Sequence, residues 1–206
     1  MADTTREQLK HATHQRVLDT ASRLFREHGF AATTVREISE ASGVSVGTVM
    51  AVGDKNALLV RVFDTMVTVE HDQRADRNPE RPDGSHDTCA TRLSALIRPF
   101  VSLFTEHPEL SQAYASILVS GTHSSTLFTD LAARLVDEFA TAITAHGCTT
   151  PADAPMKANA LYAAYVGTLF TWSALGPGDP ANLTTRLQRL FTAIYTCKEP
   201  LDAPDS

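Results

Sequence analysis

The segment from residue 33 to residue 59, TTVREISEASGVSVGTVMAVGDKNALL, constrains the fold of this chain more than any other stretch. Thr34 and Glu37 have the spacing of a capping box, in which a hydroxyl and a carboxylate satisfy the unpaired N–H groups at a helix start. Gly43 predicts the end of that helix, because glycine adopts the left-handed conformation common at helix ends. Ser45 can cap a second helix. The segment therefore predicts two short helices joined by a tight glycine turn.

Two short helices joined in this way have the geometry of a helix-turn-helix, whose second helix lies in the major groove of DNA. That second helix should run to about Val52 and present small side chains. A longer amphipathic helix precedes the pair between Leu9 and Glu27, where apolar residues recur at spacings of one, three and four. Together the three helices predict a compact amino-terminal head.

The order of these elements resembles the TetR family of one-component transcriptional regulators. The resemblance is carried by His28-Gly29-Phe30, by TTVREISEASGVSVGTV and by Lys55 at the start of a fourth helix. It covers roughly the first quarter to third of the chain. It implies a helix-turn-helix DNA-binding domain at residues 1–54 and a helical ligand-binding and dimerisation domain at residues 55–206.

The second helix of the motif departs from the family pattern. Members usually continue it as Thr-Leu-Tyr and two more large residues, whereas this chain has Thr48-Val49-Met50-Ala51-Val52-Gly53. The aromatic residue that would meet a phosphate is absent. Readout should then depend on DNA shape and on apolar contact with thymine methyl groups, since valine and alanine cannot form bidentate bonds to guanine. We expect phosphate contacts from Thr33, Thr34, Thr48 and Lys55, base approach by Val46, Gly47 and Ala51, and a DNA-facing position for Ser45 and Met50.

The remainder of the chain predicts further helices, because no stretch alternates at period two over the length of a strand. The fourth helix should span Lys55 to about Asp76 and be followed by an exposed loop at residues 78–87. A seventh helix should include Leu127 and stop at Gly147, and the last two should span about 156–175 and 182–196. The predicted fold is therefore all-α, with a three-helix head on a six-helix body.

Aromatic and soft side chains are concentrated in the body, where their first role is to form the core of a helical bundle. As a set they also suit an apolar cavity for a small molecule. The resemblance to ligand-responsive regulators favours such a pocket, enclosed by helices four to eight, and a hydrophobic effector. The residues expected to line it are Phe63, Met66, Phe100, Phe104, Tyr114, Leu118, Phe128, Tyr162 and Trp172.

The last two helices carry small and apolar residues that favour a twofold interface between two copies of the chain. These residues are Ala160, Ala163, Ala164, Gly167, Leu187, Leu190, Phe191 and Ile194. The alternative is that the same residues form an intrachain hairpin. A dimer matters because two heads on a twofold axis read a palindromic operator.

Charge is distributed unevenly along the chain, whose net charge is −6. Residues 1–56 hold seven Lys/Arg and seven Asp/Glu, so the remaining 11 Lys/Arg and 17 Asp/Glu carry the whole net charge. A neutral head predicts weak non-specific DNA binding with a modest salt dependence, since few counterions are released.

Other chemistry is limited. The three widely separated cysteines, Cys89, Cys148 and Cys197, have no metal-ligand spacing and predict structural thiols in a reducing cytoplasm, with no metal site and no cofactor. No catalytic motif is present, so an enzyme is not expected. The stretch Ala158 to Gly176 is apolar and about long enough to cross a bilayer, but its polar residues favour a buried or dimer-forming helix.

The sequence thus supports one main hypothesis, a cytoplasmic homodimeric repressor that binds a palindromic operator and is released by a small hydrophobic effector. The rival hypothesis is an all-α small-molecule-binding or scaffold protein whose head no longer binds DNA. An enzyme that uses sparse carboxylates is a distant third.

Overall fold

The computed structural model describes residues 2–76, 88–176 and 179–194, in which helices are joined by short connections and no strand occurs. The helices are α1 (Ala2–His28), α2 (Val35–Ser42), α3 (Val46–Val52), α4 (Lys55–Asp76), α5 (Cys89–Glu106), α6 (Pro108–Val119), α7 (Asp130–Ala145), α8 (Ala154–Ala174) and α9 (Pro180–Ile194). The predicted all-α fold, with a three-helix head on a helical body, is confirmed. The loop expected at residues 78–87 and the chain beyond residue 194 lie outside the described residues.

The head consists of α1, α2 and α3, and its local signals form as the sequence predicts. The Thr34 hydroxyl accepts the N–H of Glu37 at 3.2 Å, while the Thr34 N–H donates to the Glu37 carboxylate at 2.7 Å. Gly43 ends α2 with φ 69°, a conformation that other residues adopt only with strain. Ile38 and Val49 are buried together with Phe25 of α1 in one continuous core. The predicted caps and glycine turn are therefore confirmed.

Helix α4 connects the head to the body. The Asp54 carboxylate accepts the N–H of Ala57 at 2.8 Å, which caps the helix at the predicted residue. The helix contacts α1 in the head and α5 and α6 in the body. A shift of α4 would therefore be transmitted to both domains.

Helix α8 occupies the middle of the body, packed against α6, α7 and α9. Leu161, Tyr165 and Leu169 form its buried side. None of the described helices has the length and apolar character needed to cross a membrane. One predicted boundary is wrong: Leu127 does not belong to the seventh helix but to a separate 3-10 turn, Thr126–Phe128, that precedes α7.

Candidate nucleic-acid interface and effector region

Helix α3 presents one side to the exterior of the head. Val49 and Val52 point into the core, whereas Val46 is 46% exposed and Met50 is 50% exposed. Because residues four apart share one side of a helix, the exposed positions form a continuous strip. This outer face of α3 consists of Val46, Gly47, Met50 and Ala51. It is uncharged and has only short side chains apart from Met50, so a groove of DNA could approach its backbone closely.

Two hydroxyl groups lie at the start of α3. The Ser45 hydroxyl accepts the N–H of Thr48 at 3.1 Å and lies 2.9 Å from the Thr48 hydroxyl. A single proton makes the bond between the two hydroxyls, so the second proton remains available to an outside acceptor. Ser45 is exposed and Thr48 is half-buried. These two residues therefore keep the donor that a phosphate contact requires.

The two threonines before α2 differ in their availability. Thr33 is fully buried, and its hydroxyl lies 2.8 Å from the carbonyl of Gly29 and 3.3 Å from that of Leu24. A phosphate cannot reach it, so the expected phosphate contact of Thr33 is wrong, and its role is to hold the turn after α1.

Thr34 is exposed, but both of its donors are engaged by one carboxylate. Its N–H lies 2.7 Å and its hydroxyl 2.9 Å from the same Glu37 oxygen. The bond from the Thr34 N–H, and to a lesser extent the bond from its hydroxyl, hold the pKa of Glu37 below its ordinary value. The carboxylate is therefore charged at neutral pH. A phosphate at Thr34 would have to displace this negative charge, which disfavours the contact.

Lys55 connects the start of α4 to the turn after α1. Its ammonium donates to the carbonyl of Ala31 at 3.2 Å and lies 4.4 Å from the centre of the Phe30 ring. Phe30 in turn packs on Phe25 of α1, with 5.4 Å between ring centres. Since an ammonium carries three N–H groups, Lys55 retains donors for a phosphate while also stabilising the head.

The residues expected to line an effector pocket fall into two groups. In the inner group, Phe63 stacks on Tyr114 at 4.6 Å between ring centres, and Phe104 packs edge-on against Phe63 at 5.3 Å. These three residues are fully buried, and Phe100 and Leu118 are buried in the same core. An effector in this place would have to separate rings that contact one another.

The outer group is less enclosed. Phe128 is 48% exposed and packs edge-on against Phe170, while Met66, Tyr162 and Trp172 are half-buried. The Tyr162 hydroxyl donates to the carbonyl of Leu127 at 2.5 Å, and burial raises its pKa to about 12. The indole N–H of Trp172 is buried and has no hydrogen-bond acceptor among the described residues. The outer group therefore combines partly exposed apolar side chains with one buried donor, the Trp172 N–H.

A polar cluster that the sequence analysis missed joins α4 to the segment after α6. One Asp64 oxygen lies 2.8 Å from the Tyr114 hydroxyl and 2.6 Å from the Ser125 hydroxyl, and the other accepts the N–H of Thr126 at 3.0 Å. Burial, and then the charge of Asp64, raises the pKa of Tyr114, so this phenol stays protonated and donates. We call Asp64, Tyr114, Ser125 and Thr126 the Asp64 network.

The same segment also touches the boundary between head and body. The imidazole of His123 lies 3.2 Å from the Asp54 carboxylate that caps α4. Residues 123–126 therefore hold α4 both at its first turn and near its middle. No sequence signal marks these contacts, since they join residues more than 60 positions apart.

Cysteine positions also differ from expectation. The sequence predicts no metal site, but the structure brings Cys89, His146 and Cys148 together, with their ligand atoms all within 4.8 Å of one another. Cys197 lies outside the described residues.

The exterior of α8 and α9 contains most, though not all, of the residues expected at a dimer interface. Ala160, Ala163 and Gly167 are exposed on α8. Leu187 and Phe191 are instead fully buried in the core of the chain, so their expected interface role is wrong. A shallow groove runs along the outside of α9, lined by Asn182, Thr185, Arg186, Arg189, Leu190 and Ala193.

Comparison with known proteins gives one family-model match over part of the chain and a shared fold. Residues 17–52 match the sequence model for bacterial regulatory proteins, tetR family. Among curated protein sequences none matches the chain.

Solved structures that resemble the chain include Thermus thermophilus FadR, a TetR family transcriptional repressor, in complex with lauroyl-CoA. That protein is 20% identical, with a TM-score of 0.62 over 94% of this chain and 100% of that one. A TetR transcriptional regulator from Rhodococcus sp. RHA1 is 18% identical, with a TM-score of 0.59 over 89% and 95%. The regulator FadR from Bacillus subtilis, in complex with stearoyl-CoA, is 16% identical, with a TM-score of 0.53 over 90% and 99%. At these identities the likeness shows a shared fold.

Proposed function

We propose, on the premise that the chain belongs to the TetR family of bacterial regulators, that it is a cytoplasmic, ligand-responsive repressor which binds a palindromic operator as a homodimer. The observation that carries this proposal is the outer face of α3, an exposed and uncharged strip on the second helix of a helix-turn-helix. Exposed apolar side chains at this place have no role in the core of the head. Contact with base edges in a major groove gives them one.

DNA contacts follow from what each side chain has available. Val46 and Ala51 meet thymine methyl groups, and Gly47 permits close approach of the α3 backbone. Ser45, Thr48 and Lys55 donate to phosphates, while Thr34 does so only when Glu37 moves aside. Few charged groups take part, so specificity depends on shape and apolar contact, and the salt dependence of binding is modest.

The effector acts through α4 in this proposal. A hydrophobic ligand that enters between the inner and outer aromatic groups displaces Tyr114 and weakens its bond to Asp64. Helix α4 is then free to tilt, and with it the head that it carries. Long-chain acyl-CoA thioesters are the first ligands to test, since two structures of this fold contain them.

Selection from a random duplex pool tests the DNA-binding function. The full-length protein should enrich a palindrome, and Thr48→Ala and Lys55→Ala should each weaken binding to it. Arg134→Ala is a matched control for Lys55→Ala, because it also removes a cationic side chain that bonds within the chain, but it lies in the body, beside Asp72. Failure to enrich any sequence would favour the rival, a ligand-binding or scaffold protein with an inactive head.

Release of the selected duplex tests the effector. Lauroyl-CoA and stearoyl-CoA should lower operator affinity, whereas coenzyme A without an acyl chain should not. If neither thioester changes the affinity or the melting temperature of the protein, the acyl-CoA class is rejected.

A further inference from the structure

Three potential metal ligands meet at one end of the body, although 57 residues separate the first two in sequence. Cys89 is the first residue of α5, His146 directly follows α7, and Cys148 lies two residues later. The two sulfur atoms are 3.6 Å apart, and the Nδ1 atom of His146 is 2.8 Å from the Cys148 sulfur. We propose that Cys89, His146 and Cys148 bind one thiophilic metal ion of the kind that Zn²⁺ represents.

The spacing of these atoms suits a tetrahedral ion. Metal–sulfur bonds of about 2.3 Å and metal–nitrogen bonds of about 2.05 Å place two sulfurs ~3.8 Å apart and a sulfur and a nitrogen ~3.6 Å apart. The observed sulfur pair is already close to that distance. The imidazole must withdraw by roughly 0.8 Å, which a ring rotation at a half-buried residue provides. Thiolate and imidazole together are the donor set that Zn²⁺ prefers.

The local fold explains why these groups converge. Thr88 caps α5 and places Cys89 in its first turn, where the partial positive charge of a helix start favours a thiolate. Gly147, with φ 74°, reverses the chain after α7 and sets Cys148 beside His146. The ligand set thus joins the start of α5 to the connection between α7 and α8.

Burial indicates how the ion would be held. Cys89 is fully buried, whereas His146 and Cys148 are half-buried, so one side of the site faces solvent. Three protein ligands with a solvent molecule in the fourth position resemble exchangeable sites more than closed structural ones. Binding replaces the protons of two thiols, which pass to solvent, so affinity rises with pH. The site has no part in the proposed DNA contacts and does not depend on them.

Titration of the reduced full-length protein with Co²⁺ tests the site. We expect one equivalent per chain, a thiolate-to-cobalt charge-transfer band and the visible bands of a tetrahedral ion, all removed by Zn²⁺. Cys148→Ser and His146→Ala should weaken binding by about tenfold or more, since each removes a ligand. Both positions are half-buried, so these variants should fold, and circular dichroism checks that they do.

Cys197→Ser is the matched control, because it removes the third thiol, which has no place in the proposed set, and it should bind Co²⁺ like the unchanged protein. Absence of the charge-transfer band, an unchanged titration in Cys148→Ser, or equal loss in Cys197→Ser would overturn the assignment. So would reduced protein that binds no metal but loses two thiols in air, which would make Cys89 and Cys148 a disulfide pair. Operator selection is carried out separately with metal-free protein. Failure of the metal site and failure of the proposed DNA binding can therefore be told apart.

Discussion

Removal of one hydroxyl group from the Asp64 network should destabilise the protein by a predictable amount. Tyr114→Phe keeps the ring that stacks on Phe63 at 4.6 Å and deletes only the hydroxyl, which donates to Asp64 at 2.8 Å and also lies 2.8 Å from the Ser125 hydroxyl. Hydrogen bonds to charged groups contribute about 1.5–3 kcal/mol. Asp64 keeps the Ser125 hydroxyl and the Thr126 N–H, so its charge remains solvated by the protein. At about 2–4 °C per kcal/mol for a chain of this length, we expect the melting temperature to fall by about 3–12 °C.

Urea denaturation followed by circular dichroism measures the corresponding loss in the free energy of unfolding. Tyr165→Phe is the matched control, because Tyr165 is also a buried phenol. Its pKa is raised chiefly by burial, and no hydrogen bond to a carboxylate affects it. A double-mutant cycle of Tyr114→Phe with Ser125→Ala should give a coupling energy of about 0.5–3 kcal/mol, as expected for residues in one network. The reasoning is refuted if Tyr114→Phe costs no more than Tyr165→Phe, or if the two changes are additive.

Two further predictions concern the head boundary and the dimer. The Ala57 N–H, with a smaller contribution from His123, holds the pKa of Asp54 below its ordinary value of 3.8. Its stabilising effect is therefore present above about pH 4 and lost as pH falls through the lowered folded value. The difference in urea midpoint between the unchanged protein and Asp54→Asn should accordingly shrink between about pH 6 and pH 2, and a constant difference would contradict it. Ala163→Glu places a charge on the exposed side of α8 and should give monomers in sedimentation experiments; a dimer of unchanged affinity would move the interface elsewhere.

Local signals in the sequence determined most of what could be predicted of the head. The capping box at Thr34 and Glu37, the glycine at residue 43 and the cap at Asp54 act within four residues, so their outcome hardly depends on the rest of the chain. The start of α4 follows from the Asp54 cap in the same way. Family resemblance supplied the expected function, which these signals alone do not specify.

Predictions were wrong for residues whose side chain could face either the core of the chain or an outside partner. Helical spacing shows that Leu187 and Phe191 are apolar, but it does not show whether they meet their own core or a second chain; here they are in the core. Thr33 reads as a surface threonine until its hydroxyl is seen bonded to the carbonyls of Leu24 and Gly29. Such choices depend on packing between helices.

Contacts between distant residues could not be predicted at all. Asp64 pairs with Ser125, and Cys89 meets Cys148, across separations of 61 and 59 residues. Neither pair has a characteristic spacing, because each partner lies on a different helix or loop. The Asp64 network and the proposed metal site therefore emerge only from the packed body.

The central claim is that the outer face of α3 contacts DNA, and substitution at Gly47 tests it most directly. A Cβ added there meets no clash, since its nearest neighbour is the Ser45 hydroxyl at 3.8 Å, and replacing a glycine in a helix lowers the backbone entropy that folding costs. Gly47→Gln and Gly47→Glu have nearly the same size and differ in charge, so a comparison of their operator affinities isolates repulsion by the DNA. We expect both variants to fold at least as stably as the unchanged protein, and Gly47→Glu to bind the selected operator about tenfold or more weakly than Gly47→Gln. Equal affinities of the two folded variants would contradict the account.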